Sequence, residues 1–346
     1  MVYPDSLKVT YATNYGFFLM MAMAHTPKTN ENMTTAPSNA FSRILITGGM
    51  GFFGWNAALH LRERGITTIS TSSAPQRYPA SAQQQPAQMN VLDKASIEAC
   101  FVNYLPDTVI HAAAFSAPLA CEKDPDTAYS INVIGTQNIA AVAAAHQIPM
   151  VHISTDLVFN GEKNVLKDGF YTESDALNAT IVYGKTKIEA ERFLQEQSFG
   201  KWIVIRSALM FGRGVAWANG FPQFAVDALK SGKQPTLFTD QFRTPAYIPD
   251  IIDAILLLLA SENYGNIYHC SGAERIDRVS FVKRYAAAAN LDTSGIIACT
   301  MDDIPAYTTR VRDVSLSTAK LQAALAPKWQ ALPLETAFGQ MLRDEP

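Results

Sequence analysis

Between Arg43 and Gly54 the chain reads RILITGGMGFFG, an apolar run that stops on glycines and is followed at once by the amphipathic stretch WNAALHLRERG. That order specifies a buried strand, a tight turn and a helix. Gly48, Gly51 and Gly54 stand at G-x-x-G-x-x-G spacing. Each missing side chain has its own use there: a sharp turn, close approach of backbone N–H groups to a diphosphate, and close packing of helix on strand. The N-terminus of the helix behind them carries partial positive charge and unpaired donors, which suit an anion. By itself such a loop fits a dinucleotide site or a purely structural turn.

The apolar runs RILIT, TTIS, TVIHAA, MVHIST and WIVIRS follow one another between Arg43 and Ser207, separated by segments of helical length and period. This alternation predicts an α/β fold of the Rossmann type, a doubly wound parallel sheet. The segment from Asp124 to His146 is the longest helix candidate, with Pro125 near its first turn and apolar positions around most of its circumference. After Ser207 the pattern loosens into FGRGVAWANGF. It becomes regular again with a helix near Pro222–Ser231, a helix over Pro249–Ala260 and a strand at Asn266–Cys270. The chain is therefore expected to leave the nucleotide domain, build a smaller lobe and return. The expected division is 41–206 with 244–271 for the nucleotide domain, and 207–243 with 272–346 for the substrate lobe. Residues 1–40 lack periodicity and read as a disordered extension.

With 346 residues, 48% of them hydrophobic, the chain can bury a large core, and its net charge of −3 comes from interspersed acids and bases. A phosphate-backbone partner needs a basic field, so nucleic acid is excluded as an expected partner. The short apolar run Gly16–Ala24 falls below the length needed to span a bilayer, and no membrane association is expected. Cys100, Cys121, Cys270 and Cys299 are far apart and lack zinc-type spacing, so they read as reduced, buried thiols of a cytoplasmic protein, with no metal site.

Tyr183 and Lys187 lie four residues apart in VYGKTK, on one face of a helix. An ammonium beside a phenol favours the phenolate and brings it toward the range useful for proton transfer. A surface helix on which the two merely sit together is the plain alternative. Upstream, HISTDLVF places Thr155 at the carboxyl end of a predicted buried strand, where open α/β sheets bind their ligands. A hydroxyl at that place can equally cap the next turn.

Taken in order, the glycine loop, the strand-end Thr and Tyr-x-x-x-Lys resemble the extended short-chain dehydrogenase/reductase superfamily. HAAA at His111–Ala114 and INVIGT at Ile131–Thr136 match further segments of that family. STDLVFNG, VYGKTK, FTDQFRTPAYIPDI and RVRDVSLSTAKL are similar to its RmlD-like branch of sugar-nucleotide reductases, which includes dTDP-4-dehydrorhamnose reductase. The resemblance implies an NADPH-dependent reductase of a 4-keto nucleotide sugar. Lys187 would hold the nicotinamide ribose and lower the Tyr183 pKa, Tyr183 would donate the proton, and Thr155 would bond the carbonyl. Gly48, Met50, Gly51, Phe52, Phe53 and Gly54 would form the diphosphate loop, with Ala112, Ala113, Ala114, Val91 and Asn132 also lining the cofactor. Ser116, Asp156, Arg243 and Arg310 would meet the substrate, with Arg312 in a similar segment. Sugar-nucleotide dehydratases follow this Thr with Asp-Glu; here the triplet is Thr155-Asp156-Leu157, so the base for eliminating water is missing.

At the end of the second strand stand Ser70, Thr71, Ser72 and Ser73, followed by Arg77, without a carboxylate. Hydroxyl and cationic donors suit a ribose phosphate, so NADP(H) is favoured and NAD(H) stays open. Asn90 stands where the family often has Asp near the adenine. Phe211, Trp217, Phe221 and Phe224 fit either stacking on a base or the core of the smaller lobe. An epimerase that retains NAD uses the same Tyr and Lys. A regulatory subunit similar to the methionine adenosyltransferase beta subunit is the non-catalytic alternative, and a homodimer is a further expectation.

Overall fold

The computed structural model describes residues 41–78, 85–215, 217–218, 220–304 and 311–343. The expected extension over 1–40, and Arg310, lie outside the described residues. Six strands, β1 (Arg43–Thr47), β2 (Thr67–Ser72), β3 (Ala87–Gln88), β4 (Thr108–His111), β5 (Met150–Thr155) and β6 (Trp202–Ser207), share one sheet with the strand Asn266–Cys270. The order across the sheet is Asn266–Cys270, β6, β5, β4, β1, β2, β3, and every neighbouring pair is parallel. This is the doubly wound arrangement, with its switch point between β1 and β4. Loops that leave the carboxyl ends of those two strands part to opposite sides and open a crevice.

Both faces of the sheet are covered, which is why its central strands read as nearly unbroken apolar runs. Ile44, Ile46, Ile110, Ile153 and Ile205 pack on one face against the helices Phe52–Glu63 and Ile248–Ala260. Leu45, Val109 and Val204 face the other way, toward Phe101, Ile139, Ala143 and Leu194. Beyond the large sheet, three two-stranded pairs join Met210–Phe211 to Ala246–Tyr247, Phe242–Arg243 to Ile276–Asp277, and Thr236–Phe238 to Ile297–Cys299. Phe211, Phe281, Tyr285 and Phe338 form an aromatic core beside them, with Phe221 packed against it. Two of the four aromatics considered for ligand stacking are therefore packing residues; Phe224 is 62% exposed.

Three local features depart from the sequence expectation. The strand predicted through Ala113 stops at His111, because the amides of Ala112 and Ala113 turn to donate to Thr47 Oγ1. The helix predicted over Asp124–His146 is broken in register: Pro125–Tyr129 is α-helical, Ser130–Ile134 is a π turn, and Gly135–Ala145 is α-helical again. Cys100, Cys121 and Cys270 are buried, but Cys299 is half-buried, on a short strand beside Thr236–Phe238. Among the described residues, no helix is long and apolar enough to cross a membrane.

A buried ion pair locks β6 to the helix Val182–Glu196: Arg206 Nη2 meets Glu191 Oε2 at 2.7 Å, with side chains 2% and 0% exposed. Ser154 from β5 donates to Glu191 Oε1, and Arg206 reaches His269 on the neighbouring strand. Removing one partner from such a pair leaves an uncompensated charge and costs about 3–5 kcal/mol. Glu191→Ala is accordingly expected to lower the unfolding free energy by about that amount in urea titration, and Phe224→Ser to change it by less than about 0.5 kcal/mol.

Candidate functional site

The glycine loop requires glycine at Gly48 and Gly54, and Gly51 begins the helix. Gly48 has φ +64°, and a Cβ on it would lie 2.8 Å from the backbone of Ala113. A Cβ on Gly54 would strike Gly48 O at 2.4 Å, so the helix could not sit on the turn. Gly51 donates its N–H to Gly48 O and serves as N-cap of Phe52–Glu63 with no side chain bonding the first-turn amides. Those amides remain available at the mouth of the crevice, so the loop fits a dinucleotide's diphosphate.

One hydroxyl ties this loop to the end of β4. Thr136 Oγ1 donates to Asn132 O at 2.7 Å, so it accepts from His111 Nε2 at 3.0 Å; His111 Nδ1 then accepts from Thr47 Oγ1 at 2.7 Å. The Thr47 oxygen in turn collects the amides of Ala112 and Ala113. Burial, with Lys187 nearby, pulls His111 down to about 3, so the ring is neutral and the direction of every bond is fixed.

The helix Val182–Glu196 brings Tyr183 to the turn that follows β5 and Lys187 against His152, midway along that strand. Gly184 permits this approach, since a Cβ there would lie 2.1 Å from Leu157 O. Glu122 accepts from Val182 N at 2.7 Å and anchors the start of the helix. Tyr183 is half-buried, while Lys187 is 1% exposed and donates from Nζ to His152 Nε2 at 2.8 Å. Burial pulls Lys187 down to about 7, against an opposing pull from Glu191. The expectation that Lys187 lowers the Tyr183 pKa is corrected here. Burial first, then Asp156 and Cys121, hold the phenol above its ordinary value in the cofactor-free protein, while the Lys187 ammonium bonds His152.

Thr155 accepts from Leu157 N at 3.2 Å and donates to Asp156 Oδ1 at 3.1 Å, so it caps the turn that follows β5. Asp156 is buried, and burial raises its carboxyl above the usual range despite Arg243, Thr155 and Arg278. Its Oδ2 lies 3.1 Å from Arg243 Nε. Beside this pair opens a cavity of about 280 Å³, walled by Leu119, Glu122, Leu157, Ile181, Arg243 and Arg278 among others.

Sequence and structure converge beyond geometry. The chain matches the RmlD substrate binding domain family over residues 42–342. It belongs to that family. Spore coat polysaccharide biosynthesis protein SpsK of Bacillus subtilis is 27% identical over 82% of this chain and 92% of its own. The dTDP-4-dehydrorhamnose reductase of Aggregatibacter actinomycetemcomitans is 29% identical over 82% and 93%. Methionine adenosyltransferase 2 subunit beta of Xenopus laevis is 28% identical over 84% of each. Among solved structures, a dTDP-4-dehydrorhamnose reductase from Clostridium acetobutylicum superposes with a TM-score of 0.74 at 26% identity, covering 87% of this chain and 98% of that one.

Within this RmlD-family chain, several candidate residues are committed elsewhere. Asn132 spends its amide on Phe115 N, Phe115 O and Thr186 Oγ1, bracing the cofactor side of the crevice to the Tyr183 helix. Arg243 donates to the carbonyls of Phe242, Arg312 and Val311, besides pairing with Asp156. Its fork holds backbone together at the cavity wall. Arg312 pairs with Asp240 and Asp302 on the surface. Ser70 is buried beneath Gly49, whereas Ser72 is half-buried, accepting from Ala74 N, and Arg77 is exposed. Asn90 accepts from Leu92 N, and Val91 is buried against Gly135. The side chains of Met50 and Phe53 point into the core, Ala112–Ala114 are half-buried, and Ser116 is exposed.

Three further contacts tie the Phe52–Glu63 helix to the segment beyond β6. Asn56 bonds both N and O of Arg213, and the Phe52 ring lies where a Cβ on Gly220 would be, at 2.4 Å. Trp217 meets Trp55 edge-on at 5.1 Å. Sequence reading missed Arg278, His152 and Gln241; only Arg278 had a signal, as the first helical residue after the N-cap Asp277.

The Lys187 environment makes a stability prediction. Its folded pKa of about 7 lies below the ordinary lysine value near 10.4. Between those two values the unfolded chain binds more protons, so the burial penalty is full below pH ~7 and fades as pH rises toward 10.4. Lys187→Met is expected to raise the thermal midpoint of the cofactor-free protein at pH 6, with the gain shrinking as the measurement is repeated up to pH 10.

Proposed function

We propose that this chain is an NADPH-dependent reductase of a 4-keto nucleotide sugar, an oxidoreductase of the short-chain type with Tyr183 as proton donor. The observation that carries the reading is the Val182–Glu196 helix. Through Gly184 it lays Tyr183 beside the Thr155–Val158 turn, and through Lys187 it bonds His152, midway along β5. The relative from Aggregatibacter named dTDP-4-dehydrorhamnose reductase aligns over most of both chains.

When bound, the nicotinamide supplies hydride; the chain's own groups do the rest. A phenol kept protonated by burial and by Asp156 has a proton to give to the carbonyl oxygen as negative charge develops there. Thr155 releases Asp156 and donates its hydroxyl to the same oxygen. The Lys187 ammonium, one helical turn from Tyr183, stabilises the phenolate left behind. The cavity walls are mostly apolar with two guanidinium groups, Arg243 and Arg278, a combination suited to a sugar carrying a diphosphate. Arg278 stacks over Phe221 at 4.6 Å and donates to Gln241, which fixes its orientation. Ser72, Ser73 and Arg77, with no carboxylate among them, favour a phosphorylated ribose. We assign the reaction to the cytoplasm and expect a homodimer in solution.

The second reading is a regulatory subunit that binds NADP, supported by the 28% identical relative named methionine adenosyltransferase 2 subunit beta. Fluorescence titration with NADPH and NADH, followed by nicotinamide absorbance with dTDP-, UDP- and GDP-4-keto sugars, separates the two. Oxidation with one sugar supports the reductase; tight binding with no oxidation across the panel supports the regulatory role. Tyr183→Phe is expected to lower turnover by about 10²–10⁴ while NADPH binding stays intact, and wild-type rates would remove Tyr183 as proton donor. Arg77→Ala is expected to weaken NADPH by about tenfold and NADH hardly at all, measured in the same titration.

A further inference from the structure

Lys187 is a buried cation whose direct partner is an uncharged ring. Its Nζ donates to His152 Nε2 at 2.8 Å, and both residues are 1% exposed. Burial, then Lys187, then His111 keep the His152 imidazole well below its ordinary value, so Nε2 is an acceptor and Nδ1 carries the hydrogen. Nδ1 is fully enclosed and has no hydrogen-bond partner among the described residues. The ring is thus placed for its Nε2 contact alone. His152 stands directly across from His111 in the β4–β5 register, with ring centroids 5.3 Å apart. His111 is itself fixed by Thr47 and Thr136 at its two nitrogens. Glu191, one helical turn along, bonds Arg206 and Ser154.

We propose that His152 is a positioning residue, a neutral acceptor that fixes the reach of the Lys187 ammonium and leaves its charge undivided for the ribose hydroxyls of the dinucleotide and for the Tyr183 oxygen. A carboxylate at the same place would hold the ammonium equally well and neutralise it. An apolar residue would leave the charge and let the amine move. The proposal rests on the reductase reading for its purpose, but its central test needs no sugar. The titratable groups around Lys187 are His152 from β5, His111 from β4, and Glu191 and Tyr183 from its own helix.

The test compares His152→Gln, His152→Leu and His152→Glu with the wild type by NADPH titration across pH 6–10, with thermal unfolding as the check on folding. Gln, which keeps an acceptor, is expected to stay within about threefold of the wild-type Kd. Leu is expected to bind NADPH about tenfold more weakly or worse, with the alkaline loss of binding moved to lower pH. Glu is expected to bind more weakly with that loss moved to higher pH. A Leu variant matching the wild type in affinity and pH profile would overturn the proposal, and so would a Gln variant as impaired as Leu. Should Leu fail to fold, Gln and Glu decide: indistinguishable pH profiles for the two would overturn it. Failure of the wild type to reduce any 4-keto sugar would count against the proposed reaction, while the binding series would still settle the role of His152.

Discussion

The Lys187 amine is buried, so its hydrogen bond has to be met inside the protein, and several contacts of the surrounding core bear on how. Bulk solvent is excluded from the amine, so something must accept its hydrogen bond, yet a carboxylate partner would use up the charge. The chain supplies the imidazole of His152 from β5. Glu191 sits one turn along the same helix and is held by Arg206 and Ser154. The buried Arg206–Glu191 pair therefore joins β6 to the helix and supplies the acid one turn from the amine with a cation of its own.

A second chain of bonds makes the crevice rigid on the cofactor side. Thr47, His111 and Thr136 form a line whose directions are all determined, ending on Asn132 O in the π turn. The extra residue of that turn offers Asn132 to two elements at once, Phe115 and Thr186. Loop, strand end and the Val182–Glu196 helix are consequently referenced to one another through side chains, not only through the sheet.

The large sheet was legible because parallel strands covered on both faces leave continuous apolar runs, as in RILIT, MVHIST and WIVIRS. β3 was not, since two residues, Ala87 and Gln88, carry no periodicity to read. The glycine loop declared itself by spacing, and Gly184 declared nothing, because the carbonyl it must clear belongs to a turn distant in sequence. Arg243 shows the limit from another side. Its residue type and motif pointed to an anionic ligand, but the number of carbonyls converging on a guanidinium is a tertiary property that sequence does not display. His152 was read as part of a strand, and its relation to Lys187 arises only when the helix packs against that strand.

Asn56 and Phe52 sit on the same helix that begins at the glycine loop, and both grip the segment between Arg213 and Gly220. That segment runs directly into the helix Phe221–Lys230, whose first residue, Phe221, supports Arg278 at the cavity wall. Packed side chains thus join the helix that starts at the glycine loop to the wall of the cavity, so that a substitution at Asn56 or Phe52 would be felt at Arg278 through residues that never touch it.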